Sequence, residues 1–175
     1  MKRPFLLGIH GKARSGKDTL CQFILSSSGG YRYSLADPIK AMLRAGFGID
    51  MADPYWETHK ETVIPALGKS PRQLLQTLGT EWGRHCIRED VWLLLAQDAL
   101  KREGAGMVVP DVRFENEAVW VRDLGGRILH IIRKEATPVN AHASESGVEI
   151  LPQDLVLTND GTLEDLYDAA KQLFE

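Results

Sequence analysis

The stretch "GKARSGKDT", residues 11–19, decides how the rest of the chain is read. Four residues separate Gly11 from Gly16, and Lys17 follows at once. Glycine at both ends lets the backbone bend so that successive N–H groups turn inward on an anion. The apolar run before it, "FLLGIH" (5–10), reads as a buried strand. Lys17 to Leu25, with Leu20, Cys21 and Ile24 on one face, reads as a helix. Strand, glycine loop and helix N-terminus in that order form a phosphate cradle. The loop amides, the positive end of the helix dipole and the Lys17 ammonium all favour phosphate oxygens. The bare frame arises by chance in roughly one chain in twenty of this length, so its flanking strand and helix make the case. Asp18 stands where a serine or threonine would ordinarily meet magnesium.

Outward from the loop, short apolar runs alternate with helical patterns. "YRYSLA" (31–36) is a second strand. "DPIKAMLRAGFG" follows as a helix with Asp37 at the N-cap and Pro38 at its first position. Residues 48–69, broken by Pro54, Pro65 and Gly68, read as loop. Ser70, Pro71 and Gln73 make a capping box. Behind it Leu74, Leu75, Leu78 and Trp82 form an apolar stripe opposite Arg72, Gln73, Gln76, Thr80 and Arg84. Residues 90–103 are a helix whose first two turns are apolar enough to be buried. "MVV" then leads as a strand to Asp111. "ENEAVWVRDLGG" is a helix closed by Gly125, "RILHII" (127–132) a strand, and residues 134–150 a polar, breaker-containing segment. "LVLTND" is the last strand, and a helix opens at Thr162 with Asp165 three residues on. The alternation predicts an α/β fold with a mainly parallel sheet of about five strands, helices on both faces, and ligands at the carboxyl ends of the strands.

The bulk numbers narrow the field. The 175 residues suit one domain, and a net charge of −3 gives no electrostatic reason to expect nucleic acid. No run approaches the ~20 apolar residues of a membrane helix. Cys21 and Cys86 fit no zinc or disulfide spacing and read as reduced thiols of a cytoplasmic protein. Among proteins with phosphate loops, a base-reading NKxD is absent. The one DxxG match, "DLGG" (123–126), ends a helix instead of following a strand, and Val112 stands after Asp111 where motor ATPases place a second carboxylate. A small-molecule or nucleotide kinase remains.

Four words in order then carry a family likeness: "GKARSGKDT", "SPRQLLQTLGTEWGR" (70–84), "DVRFENEA" (111–118) and "HASE" (142–145). Across residues 5–150 the chain resembles deoxynucleoside monophosphate kinases of the bacteriophage type, and Asp18 is similar to what that family carries. The resemblance implies a three-layer α/β/α phosphate-loop kinase fold, a single domain over 1–175 with an acceptor region at about 37–90 and a lid at about 134–150. It implies transfer of a phosphoryl group from ATP, with Mg2+, to a deoxynucleoside monophosphate. Expected partners are small nucleotides, with neither nucleic acid nor membrane, a homodimer left open, and a cytoplasmic location (that of the host if phage-encoded). The chain departs from the pattern at Asn140, where the family often has an aspartate two residues before the histidine, and Pro110 is unusual at a strand end. Two other readings stay open: a kinase of another phosphorylated metabolite, of the dephospho-coenzyme A or phosphomevalonate kind, and a non-catalytic nucleotide-binding protein.

The chemistry asks for alignment and charge neutralisation. A phosphate monoester, with a second pKa of about 6, is largely ionised at neutral pH, so no general base is expected. Gly11, Lys12, Ala13, Arg14, Ser15, Gly16, Lys17, Asp18 and Thr19 are the nucleotide-phosphate residues. Lys17, Arg14, Arg113 and Arg133 are the cations expected to act in transfer, set against the plain alternative of surface arginines. Arg72 sits at a helix N-terminus, where a cation is disfavoured, which points to an anionic partner. Asp37, Arg72, Gln73, Gln76, Glu81, Trp82, Asp111 and Arg113 make up the acceptor set, although Asp37 also serves as a cap and Trp82 as core. Only the resemblance adds His142 and Glu145. Asp18, Thr19 and Asp111 are the candidate magnesium residues, with Asp111 equally able to cap the helix that follows it.

Overall fold

The computed structural model describes residues 5–134 and 147–174. Five strands form one sheet: β1 (Leu6–His10), β2 (Tyr31–Arg32), β3 (Met107–Val112), β4 (Arg127–Ile132) and β5 (Leu155–Thr158). Their spatial order is β2-β3-β1-β4-β5 and every pairing is parallel. Parallel neighbours need crossovers. Helix α1 (Lys17–Ser28) lies between β1 and β2; α2 (Asp37–Phe47), α3 (Pro54–Thr58), α4 (Pro71–Gln76) and α5 (Val91–Glu103) lie between β2 and β3; α6 (Glu115–Asp123) lies between β3 and β4, and α7 (Leu163–Phe174) follows β5. A π-helical segment, Thr77–Ile87, runs on directly from α4.

Residue alternation along the strands separates the two faces of the sheet. Leu7, Ile9, Val108, Leu129, Ile131, Leu155 and Leu157 pack with Leu20, Cys21 and Ile24 of α1 and Leu166 and Ala170 of α7. Gly8 points the other way, and a Cβ there would strike Ile128, Val112 and Val121 at 2.7, 2.9 and 3.3 Å, so α6 lies close on that face. The layered α/β/α arrangement and the parallel sheet match the reading of the sequence.

By its internal contacts the chain divides into two compact units. One joins the residues up to Ser34 with those from Asp98 onward and contains the sheet; the other is Leu35–Gln97. The core of the second is Leu43, Ile49 and Leu74, with Met51, Trp56, Ile64, Leu75 and Leu78 packed against them.

Several local expectations need correction. Strand β2 is two residues long rather than six: Tyr33 N–H still donates to Val108 O (2.9 Å), but the Ser34 hydroxyl turns to Asp111. Asp37 is the first residue of α2 and not its cap; Ala36 holds that position, and the Asp37 carboxylate pairs with Lys40 one turn on (3.8 Å). Residues 48–69 are not all loop. Asp53 caps α3 by accepting from Tyr55 N–H at 2.8 Å, and Ile64 bridges Lys69. In α5, Trp92, Leu93, Ala96 and Ala99 are buried, while Leu94 and Leu95 face outward.

The largest correction concerns the helix that begins at Ser70. Its capping box is present as expected: Ser70 Oγ accepts from Gln73 N–H (3.3 Å), and Gln73 Oε1 accepts from Ser70 N–H (2.9 Å). Beyond Gln76, however, the turn widens. Arg88 N–H reaches back five residues to Gly83 O (3.0 Å), as does Cys86 Sγ to Glu81 O (3.1 Å). One extra residue per hydrogen-bonded loop shifts the phase of the pattern. Leu74, Gly79, Gly83 and Arg84 are buried, while Trp82 is 43% exposed. Trp92 fixes this arrangement. Its Nε1–H donates to Gly79 O (2.8 Å), and its ring lies so near Gly83 that a Cβ there would approach to 2.2 Å.

Candidate functional site

The phosphate loop leaves the carboxyl end of β1, the central strand, and enters α1. Gly16 is left-handed (φ +101°), and no side chain caps the first turn of α1. Glycine is required at both ends of the loop. At Gly11 a Cβ would sit 2.5 Å from Ile131 O and 2.8 Å from Ser15 Oγ. Arg14 also has positive φ (63°), an uncommon conformation for a residue with a Cβ, and its side chain is exposed. Lys17 folds back over the loop, its Nζ donating to Gly11 O (2.7 Å) and Lys12 O (2.6 Å). Burial, and then the Arg113 guanidinium, hold this ammonium below the ordinary lysine pKa, while Asp18 and Asp111 pull in the opposite direction. Lys17, Asp18, Asp111 and Arg113 therefore share one electrostatic neighbourhood.

Asp111 is placed by an irregularity in β3. Gly8 pairs with Val109 but His10 pairs with Val112, so β3 carries one residue more than β1 across this interval. Pro110 explains the bulge, because it has no N–H to give to the ladder. The Ser34 hydroxyl donates to Asp111 Oδ2 at 2.6 Å. Ser34 is buried and belongs to the site, yet nothing in "YRYSLA" marks it; only the pairing of β2 with β3 brings it there. The alternative role considered for Asp111, capping the next helix, falls to Glu117. That buried carboxylate accepts from the backbone N–H groups of Arg113 (2.6 Å) and Phe114 (3.1 Å).

Behind the loop, His10 Nδ1 meets Val112 O at 2.9 Å, and its ring lies edge-on to His130, centroids 5.4 Å apart. Burial lowers the His10 pKa, and the charges of His130 and Lys17 add to this against the pull of the Val112 carbonyl. His130 in turn touches Asp154 Oδ2 (3.1 Å), and Arg122 makes two bonds to Asp154 (2.7 and 3.2 Å) and one to Glu115 (2.8 Å). Arg122 also donates to Glu149 O (2.9 Å), so this buried network fastens the chain at 149–154 to α6. On the other side of the loop, Asn159, also buried, donates from Nδ2 to Ser15 O at 2.8 Å. Sequence reasoning missed Arg122, Asp154 and Asn159. The only available signal was that Asn159 ends the strand "LVLT" beside β4, at the carboxyl edge where ligands bind.

The remaining expected residues divide as follows. Arg133 is exposed just after β4, near enough to Asp160 to help hold that carboxyl pKa below the ordinary value, after the larger effect of the Lys134 backbone N–H. Asp37, Arg72, Gln73, Gln76, Glu81 and Trp82 all belong to the second unit. There the Arg72 side chain pairs with Glu61, and the Gln73 oxygen is committed to the cap. His142 and Glu145, with most of the segment 134–150, lie outside the described residues.

Phosphate suits this cradle: glycines fill the positions where a side chain would intrude, no side chain caps the first turn of α1, and Lys17 lies over the loop within the field of Arg113. For magnesium the fit is of a particular kind. Among the described residues no group of three or more His, Cys, Asp or Glu could hold a metal alone. Asp18, exposed, Thr19 and Asp111 offer one or two hard oxygens, which is how Mg2+ is held when phosphates and water supply the other ligands. The two thiols take no part in this: Cys21 is buried, its pKa pushed up to about 11 by burial, and Cys86 is free and exposed.

Comparison with known proteins adds a name to the geometry. A family profile described as "Deoxynucleotide monophosphate kinase" matches residues 5–66 and 61–170. The chain is 29% identical over 238 aligned residues to the deoxynucleotide monophosphate kinase of Enterobacteria phage T4, covering 98% of each chain. It is 26% identical over 226 residues to the deoxynucleoside-5'-monophosphate kinase of Escherichia phage T5, covering 89% of this chain and 90% of that one. Among solved structures, TT1252 from Thermus thermophilus superposes with TM-score 0.54 at 22% identity, covering 99% of this chain and 97% of the other. The dephospho-CoA kinase of Campylobacter jejuni does so with TM-score 0.51 at 14% identity, covering 97% and 94%. At those identities the two structures speak for the fold alone.

Proposed function

The chain belongs to the deoxynucleotide monophosphate kinase family and is a phosphotransferase, and on that footing we propose that it moves the γ-phosphoryl group of ATP to the phosphate of a deoxynucleoside monophosphate. The products are ADP and the deoxynucleoside diphosphate, and the reaction runs in the cytoplasm. The observation that carries the donor half is the loop at 11–19, with its uncapped helix start and Lys17 folded over it.

On this reading Lys17 leaves the carbonyls of Gly11 and Lys12 for the outer phosphates. Its depressed pKa reflects an ammonium short of solvent and beside Arg113, and a polyanion removes that disadvantage. Arg113, Arg14 and Arg133 would offset the charge that builds up on the transferred group. Asp111, held by Ser34, and Asp18 or Thr19 would hold Mg2+. Held there, the ion would supply positive charge to offset that of the phosphates. Acceptor recognition is assigned to the second unit, through Gln76, Glu81, Trp82 and the amide nitrogen side of Gln73; Asp37 and Arg72, each already paired with a side chain, have positioning roles. Turnover of each deoxynucleoside monophosphate by the full chain, followed as ADP release with ATP and Mg2+, tests this. A protein that ignores every such acceptor but phosphorylates another phosphorylated metabolite would contradict it.

A further inference from the structure

Residue 159 is separated from the phosphate loop by most of the chain and yet contacts it directly. Asn159 follows β5, its backbone N–H donates to Ile132 O at 2.8 Å, and its side chain is thereby aimed at the loop. Nδ2–H donates to the carbonyl of Ser15 at 2.8 Å in a buried contact. The fit leaves no slack, since a Cβ on Gly16 would come within 2.6 Å of that same Nδ2.

The consequence follows from peptide geometry. The Ser15 carbonyl and the Gly16 N–H belong to one planar trans unit, so they point in opposite directions. An amide that fixes Ser15 O on one side fixes Gly16 N–H on the other. Gly16, left-handed at φ +101°, is also a residue for which the flipped orientation is sterically open. Without a partner on Ser15 O, that peptide could rotate and present a carbonyl oxygen to phosphate where it now presents a donor.

We infer that Asn159 is a positioning residue for nucleotide binding: it locks the Ser15–Gly16 peptide so that the Gly16 N–H faces the phosphates. Asp160 extends the same device, since its carboxylate accepts from Lys134 N–H at 2.9 Å and so ties this turn to the chain leaving β4. The inference rests on the reading of residues 11–19 as the cradle for the ATP phosphates.

The test is Asn159→Asp in the full chain, which keeps shape but replaces the donor by a carboxylate. That carboxylate repels Ser15 O and attracts Gly16 N–H, drawing the peptide into the flipped state. At pH 8 the Kd for ADP and the KM for ATP should rise about 10- to 100-fold, the value of one hydrogen bond to a charged group, while the acceptor KM stays within about threefold. On lowering the pH to 5.5 the variant should recover relative to the unaltered protein, because burial against the Ser15 carbonyl raises the pKa of the introduced carboxyl, which regains an O–H donor once protonated. Asn159→Ala, which only removes the donor, should show a smaller loss with no such recovery. Unaltered ADP affinity in folded Asn159→Asp, or equal losses for donor and acceptor, overturns the inference. So does failure of both variants to fold, which would make Asn159 a residue of the core. If the unaltered protein itself binds no ADP, the donor reading fails instead.

Discussion

The two units of the chain handle the same materials in opposite ways. In the sheet-bearing unit, α1 starts at a left-handed glycine with no side-chain cap, so its first-turn donors remain free. In Leu35–Gln97, α4 starts at Ser70 with its donors consumed by a capping box. The arginine–carboxylate pairs also differ. Arg122 and Asp154 are 10% and 0% exposed, whereas Arg72 and Glu61 are 24% and 55% exposed. An uncapped helix end costs stability that the surrounding fold must supply, and it is kept where an anion is to bind. A capped one serves the helix itself.

Breaking the buried pair should have the largest effect on stability. Arg122→Met leaves Asp154 charged and buried, and should cost about 3–5 kcal/mol in denaturant unfolding. Arg72→Met should cost less than about 1 kcal/mol, as exposed pairs do. Acid gives the same contrast a sign. Burial pushes the Asp154 pKa up, but Arg122, Leu151 N–H and His130 outweigh it, and the net position is below the ordinary aspartate value of 3.8. Its contribution is therefore complete above that value and lost as pH falls through the lower folded pKa. In Arg122→Met the folded pKa rises instead, so the gap in stability between the two proteins should narrow from pH 7 toward pH 4.

At the two helix starts the expected effects fall on different measurements. Lys17→Ala should lower kcat by about 10²- to 10³-fold, the scale for losing one preorganised donor to transferring charge, with the melting temperature almost unchanged. Ser70→Ala should remove about 1 kcal/mol of stability and leave the ATP dependence as it was. A Lys17→Ala protein that turned over normally would remove the reason for treating the two ends as different in kind.

The widened turn after Gln76 permits a smaller and sharper comparison. Arg84 donates to Glu89 O (3.1 Å) from a buried position, and Arg84→Met should cost about 1–3 kcal/mol by leaving that carbonyl short of a donor. Trp82→Ala should cost about 1–2 kcal/mol, because the residue is 43% exposed. A regular 3.6-residue helix that buried Trp82 on its apolar stripe predicts about 3–5 kcal/mol for the same change, so denaturant unfolding of this variant decides between the phases.

Legibility in the sequence followed the same division. The individual strands, the glycine loop at 11–19 and the caps at Ser70 and Thr162 depend on neighbours a few residues apart, and each could be read in advance. The phase after Gln76 could not, because Trp92 sets it from another helix by lying across Gly79 and Gly83. Ser34, Asn159 and the Arg122–Asp154 pair were hidden for the same reason. A serine, an asparagine or an arginine acquires its role here only from a partner 32 to 144 residues away. Pro110 shows an intermediate case. It was visible as an anomaly, but its meaning, a bulge that sets Asp111, needed the register of β1 against β3.

Asp18 should have only a small effect on stability, and it separates two roles within one helix turn. It is exposed in the first turn of α1, where a carboxylate favours the helix dipole, so Asp18→Asn should cost only about 0.3–1 kcal/mol. As a magnesium residue it should weaken the apparent Mg2+ affinity of turnover when neutralised. Asp18 also raises the pKa of Lys17 and thereby helps to keep that ammonium charged despite its burial. Without the carboxylate, the Lys17 pKa falls further, and the alkaline limb of the pH–kcat profile should move to lower pH. The two roles make different predictions for one variant, measured across Mg2+ concentration and pH. A shifted Mg2+ requirement assigns Asp18 to the metal. An unchanged requirement with a shifted alkaline limb makes it the counter-charge of Lys17, and passes the metal to Thr19 and Asp111.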